Sequence, residues 1–212
     1  MTVKRSFRAI ALLLSFVLSL ASSAWAADKL PAPSIMVIDM QKVITEAKSS
    51  KKVLETREMF FKKFQQEFTA EENKLREEDK QINDQRTVLS PEAYAEKRKA
   101  LDMKAGEFDR KVKLRRLSLD RAYDMTMREI ALQLNKVVRE LAMEMGANLV
   151  LARTQVEYYD NGMDKTAQAL ERLNATVKEL TFPDPTKMAE ELKSKADEVI
   201  KGAKESKDTK KK

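Results

Sequence analysis

Apolar residues recur every seven positions through Leu54, Phe61, Phe68, Leu75, Ile82 and Leu89, an interval that places all six on one slowly drifting stripe of a single helix. Beyond Ser90-Pro91 the pattern resumes, proline being a favoured first residue of a helix. There Tyr94, Leu101, Ala105, Phe108, Val112, Leu119, Ile130, Leu134, Val137, Leu141 and Met145 follow at spacings mostly of three, four or seven. Residues 49–145 are therefore expected to form two long helices folded back on each other at 90–91, with facing stripes. At about 1.5 Å per residue the first arm spans roughly 50 Å between Leu54 and Leu89, so the hairpin must project.

The predicted seam is thin. A stable coiled coil carries two apolar positions per heptad, yet the second position of the first arm is Phe64 once and otherwise Arg57, Glu71, Glu78 and Gln85. One buried Leu or Phe every two turns, at about 1.5–3 kcal/mol each, leaves little margin over the entropy of ordering, so flexing arms are expected. Gly106 is a plausible point of bending in the second arm.

The flanks read differently. Residues 34–39 form a β-branched run consistent with a buried strand, and 40–47 carry helical spacing. Gly146 suits the C-cap of the second arm. After it, 148–152 and 155–159 are strand candidates, 160–162 a turn, and 164–180 an amphipathic helix. The fold class is thus α+β, mainly α: a long antiparallel helical hairpin, residues 49–145, on a small body made of 27–48 and 146–182. So few body residues are expected to need partner copies to bury a core and close strand edges, with Ile35, Val37, Leu149 and Leu151 as oligomerisation candidates. Residues 183–212 are a charged C-terminal extension, read as a weak helix around Met188 to Ile200 and a lysine-rich, partly disordered tail.

At the start, Lys4, Arg5 and Arg8 precede an apolar run from Ala9 to Leu20 and an Ala24-Trp25-Ala26 site. This is the pattern of a secretory signal peptide, residues 1–26, cleaved after about Ala26, which marks the mature chain for export. The run is shorter than the roughly 20 residues of a spanning helix. The formal net charge of +7, less those three basic residues, leaves the mature chain at about +4. It has neither cysteine nor histidine, which removes disulfides, the commonest general base and the commonest neutral metal ligand. No glycine lies in a phosphate-binding motif. Neither catalytic nor metal-binding residues are assigned, no cofactor is expected, and the carboxylates Glu77, Glu78 and Asp79 read as a solvated helix face. A nucleic-acid role has no recognition motif behind it.

Binding is the chemistry left. Met103, Leu114 and Met125 are spaced by eleven, so each is displaced by only about 20° around the second arm. Val53 and Phe60 share a face of the first arm away from Phe61. These five are candidate contacts for an adaptable, promiscuous surface, to which methionine is suited. Lys111, Lys113, Arg115 and Arg116 form a basic cluster, read either as a charged face paired with Asp109 and Asp120 or as an anionic-surface contact.

The order of parts resembles the Skp/OmpH family of periplasmic chaperones. The resemblance runs over about residues 34–180: the strand Ile35-Met36-Val37-Ile38-Asp39-Met40, a long charged hairpin, then Asn148-Leu149-Val150-Leu151-Ala152, Tyr158-Tyr159, and Asp164-Lys165-Thr166 opening a helix. It implies a homotrimer with a small barrel and three arms around a cavity, acting without ATP as a holdase for unfolded outer-membrane β-barrel proteins. It also implies possible contact with lipopolysaccharide or another anionic lipid surface. The extension past Phe182 departs from the family pattern. The competing reading is a periplasmic spacer or adaptor docking through its hairpin tip, near Val88 to Tyr94.

Overall fold

A computed structural model describes residues 30–209. The leader expected over residues 1–26 and the final lysines, 210–212, lie outside the described residues, and residues 30–34 carry no regular secondary structure. From Ile35 the elements run β1 (Ile35–Ile38), α1 (Met40–Glu46), α2 (Lys48–Asp84), α3 (Pro91–Glu144), β2 (Leu149–Ala152), α4 (Thr166–Thr176) and α5 (Pro185–Thr209), with short 3-10 turns at Arg153–Gln155 and Asn161–Met163. The mainly α, α+β architecture expected from the pattern is the one observed.

Local chemistry sets the boundaries. Asp39 caps α1 by accepting from the Lys42 N–H at 2.9 Å. Ala47, with φ −57° and ψ 135°, breaks the helix before α2 begins. Ser90 accepts from the Ala93 N–H at 3.2 Å and Pro91 opens α3, so the return turn falls where the sequence places it. Gly146 closes α3 at φ 65°. The Ala147 N–H reaches back to the Ala142 carbonyl, the closure that a left-handed glycine permits.

The arms are long. By length alone α2, with 37 residues, reaches about 55 Å and α3, with 54, about 80 Å. Their seam differs from a seven-residue stripe. Val53, Phe64, Phe68 and Ile82 are buried, with Phe60, Glu71 and Leu75 half-buried beside them, whereas Leu54 and Phe61 are exposed. A seven-residue repeat drifts about 20° per heptad around a straight helix, and two heptads back from Phe68 that drift has carried Leu54 out of the seam. In α2 the seam also follows steps of eleven, Val53 to Phe64 to Leu75 and Phe60 to Glu71 to Ile82, which drift by about 20° in the sense opposite to the heptad's and so offset it. On α3, Ala105 and Met145 likewise fall outside the seam, while Leu101, Leu119, Ile130, Leu134, Val137 and Leu141 lie in it.

Strand β1 pairs in parallel with β2, Ile35 opposite Leu149 through Ile38 opposite Ala152. The whole hairpin is the crossover that a parallel pair requires. On β1's other edge Lys165 N–H donates to the Val37 carbonyl at 3.0 Å. The segment 155–159 is not a strand: a 3-10 turn and irregular backbone take its place, so the described sheet has two strands rather than three. Helix α4 is also shorter than expected, ending at Thr176.

The main core joins Met36 and Ile38 of β1, Val43 of α1, Val53 of α2, Ile130, Leu134, Val138 and Leu141 of α3, and Ala169 and Leu173 of α4. The base of the arms thus supplies what the short body elements lack. Burial of a core needs no second copy; among the described residues, the outer edge of β2 is what stays open. The C-terminal extension, expected to be a short weak helix and a loose tail, forms one helix of 25 residues, α5, packed along α3.

Candidate functional site

The polar positions of the seam are used. Arg57 pairs with Asp120 at 3.1 Å, Lys104 with Glu78 at 2.6 Å, Lys111 with Glu71, and Arg98 with Asp79, each joining α2 to α3. Through that pairing Asp79 holds the Arg98 guanidinium above its usual pKa. These pairs are partly exposed to solvent, so each contributes little and sets register more than strength. Between them Phe60, Phe64, Phe68 and Phe108 form an aromatic ladder with ring centroids 6.1–6.2 Å apart. Glu78 and Asp79, drawn into cross-helix pairs, and Glu77, which accepts from Gln81, serve the hairpin's own packing.

The outward face of α3 is different. Met103 is 62% exposed, Met125 49%, Leu132 57% and Met143 67%. Their spacings from Met103 through Leu114 to Met143 are all seven or eleven, so they stay within about 40° around the helix and run some 60 Å along it. Leu114, on the same line, is half-buried where α5 crosses. The spacing by eleven in the sequence found the first three of this stripe; Leu132 and Met143 were missed because the step to Leu132 is seven. The same step continues the seam, and the sequence alone does not say which face is filled.

Two other candidates are packed within the chain. Val53, 4% exposed, belongs to the main core and offers no surface to a ligand. Phe60 stacks on Phe182 with centroids 5.9 Å apart. A seam drawn through Leu54 and Phe61 leaves both off it.

The basic cluster divides. Lys111 is committed to Glu71, not to Asp109. Arg115 lies over the Phe64 ring at 5.2 Å, with its side chain 13% exposed and Glu190 at 3.9 Å. Lys113 and Arg116 are exposed. Asp120 pairs with Arg57 instead of with the cluster. The four residues form no single basic face.

In the body, Val37 is 1% exposed and both edges of β1 are occupied, which removes it as an oligomerisation contact. Ile35 and Leu151 are half-buried; Leu149 and its neighbour Val150 are exposed on β2, which has no second strand partner among the described residues. Val150 also borders a shallow cavity of about 770 Å³ lined by Leu132, Val138, Ala142 and Met143. Glu129, Asn135, Lys136 and Arg139 line the same groove, so strand edge and groove are continuous across a floor that is apolar in part and charged in part.

A polar latch holds the other end of the sheet. Thr166 Oγ1 accepts from the Asp39 N–H at 2.9 Å, Asp164 accepts from the Thr166 N–H at 2.9 Å, and Tyr159 donates to Asp164 at 3.0 Å. Burial pushes the Asp164 carboxyl up, but the bonds from Thr166 and Tyr159 and the nearby Arg153 outweigh it and hold the pKa below the usual carboxylate value. Burial and Asp164 push the Tyr159 phenol up. Every member has a partner, so the group works as a structural fastening.

Such a fold defines a class: a charged helical hairpin on a small parallel-sheet body, with exposed apolar residues spread in a stripe along one arm. A family described as outer membrane protein (OmpH-like) matches residues 34–173, and the chain belongs to that family. Among solved structures, a candidate outer membrane chaperone (OmpH-like) from Caulobacter crescentus CB15 superposes with a TM-score of 0.66 at 21% identity, over 73% of this chain and 91% of that one. At that identity the likeness speaks for the fold. No curated protein matches the chain. Helix α5 lies beyond the family match.

Proposed function

We propose that this chain is an ATP-independent periplasmic holdase, which keeps unfolded outer-membrane β-barrel proteins from aggregating by holding them along its arms. The observation that carries the reading is the outer stripe of α3, with Met103 and Met125 exposed on a helix whose seam is already satisfied by other residues. An unfolded barrel strand alternates polar and apolar side chains, and its apolar side needs cover that can be withdrawn without nucleotide hydrolysis. Many weak contacts to flexible methionines meet that need. Assembly through the β2 edge and the adjoining Leu132–Met143 groove, as a trimer in the manner the family resemblance implies, would gather several arms around one client. The spacer reading rests on Val88, exposed at the hairpin tip.

The test is light scattering of an unfolded outer-membrane β-barrel protein diluted from urea, with and without the mature chain and without ATP. Suppressed scattering with a soluble complex supports the holdase. Unchecked aggregation beside a folded, oligomeric protein leaves the spacer as the better account.

A further inference from the structure

We propose that α5 is a releasable clasp: it occupies the middle of the α3 stripe and competes there with the apolar segment of a client. This rests on the holdase reading and adds to it a built-in competitor. The helix runs antiparallel to α3, from the base toward the tip, since Glu190 lies 3.9 Å from Arg115 and Asp197 lies 3.2 Å from Arg110. Its docked face is Pro185, Met188, Ala189 and Leu192, the spacing of one helical side; Pro185 and Ala189 are buried and the other two half-buried. Ala196 and Val199 continue that spacing but are exposed, Val199 at 71%. The seat is therefore about two turns of a much longer helix.

Three features make the seat releasable. A cavity of about 510 Å³ lies between the helices, bordered by Leu114 and Arg115 on one side and Ala189 and Lys193 on the other, so the contact is not close-packed. Of the two ion pairs along it, Arg110–Asp197 is exposed on both sides, hence weak and screened by salt, and Arg115–Glu190 is long, at 3.9 Å, with Glu190 in solvent although Arg115 itself is covered. The link from Val177 to Asp184 is irregular and contains Pro183, so α5 can leave without unwinding α4.

What the clasp covers says what replaces it. Met103 and Met125, on either side along the stripe, are open, while Leu114 between them is shielded. Phe182, leading into α5, stacks on Phe60. The occupant the seat fits is a short segment with an aromatic or aliphatic anchor and a nearby carboxylate for Arg115 or Arg110. The clasp itself offers that chemistry through Phe182, Ala189, Glu190 and Asp197.

The experiment compares three full-length chains using one probe, a labelled outer-membrane β-barrel protein diluted from urea. Ala189→Glu places a charge in the buried seat and opens the clasp. Arg110→Cys with Asp197→Cys, bridged by a bis-maleimide, locks it; the chain has no cysteine of its own, so the bridge is unique. Hydrogen exchange over residues 108–118 reports opening independently of any client. The expected result is faster exchange and several-fold tighter capture by the opened chain, with several-fold weaker capture by the locked one. Equal capture by opened and locked chains, or unchanged exchange in the opened one, overturns the clasp. Faster exchange with no capture by any of the three overturns the holdase reading, and the competition with it.

Discussion

Single residues at the sheet's end tie the body together through charge. Asp164 has a folded-state pKa below its unfolded value near about 4, so its contribution to stability is complete above that value and is lost as pH falls through the folded one. Asp164→Asn is expected to lower stability at neutral pH and to flatten the acid limb of a pH–stability curve measured by urea unfolding; an unchanged acid limb would show that the latch contributes no linkage. Tyr159 shifts the other way, its neutral form being favoured by burial and by Asp164. That contribution is present below the unfolded phenol value and disappears only as pH rises through the folded one. At this scale the sequence was partly legible. Asp39 at a strand end and Asp164-Lys165-Thr166 at a helix start were visible as punctuation, but the bond from Asp39 to Thr166 spans 127 positions and has no local signal.

Among the elements, the arms set stiffness against reach. Their ends were legible because Ser90-Pro91 and Gly146 act locally, through a cap and a left-handed turn. The seam was legible in kind but displaced in phase. Leu54 and Phe61 complete a run of seven that the straight helix does not follow, and Val53 and Phe60 take the inner positions. Replacing the seam pair Glu78 and Lys104 by leucine together is expected to slow amide exchange in residues 75–105 and to leave the fold intact, since exposed ion pairs contribute little and two apolar neighbours fill the seam. Exchange as fast as in the parent would mean that arm flexing does not arise at the polar seam. The segment 155–159 misled because its residue types suit a strand, whereas β1's second edge is taken by Asp164 and Lys165 and leaves no place for one. Helix α5 is longer than its sparse apolar spacing suggests, because the seat that holds it, Pro185, Met188, Ala189 and Leu192 against α3, joins residues far apart in the chain.

For the whole molecule, the proposed assembly runs through β2 and the groove beside it. Leu149 and Val150 lie on an edge with no second strand among the described residues, a surface that proteins otherwise cover or charge. Met143→Lys with Val150→Lys is expected to turn the proposed oligomer into monomer in light-scattering mass measurements while the helical signal persists, because the main core closes within one chain. An oligomer of unchanged mass would move the interface elsewhere. In the proposed assembly the arms present the α3 stripe to whatever they surround, and a client held there must touch it. The direct measurement is photo-crosslinking of an unfolded outer-membrane β-barrel protein to chains carrying a photoreactive side chain in place of Met103, Met125 or, at the tip, Val88. Strong crosslinks at Met103 and Met125 with little at Val88 are predicted; crosslinks confined to Val88 would contradict the stripe and favour docking through the tip.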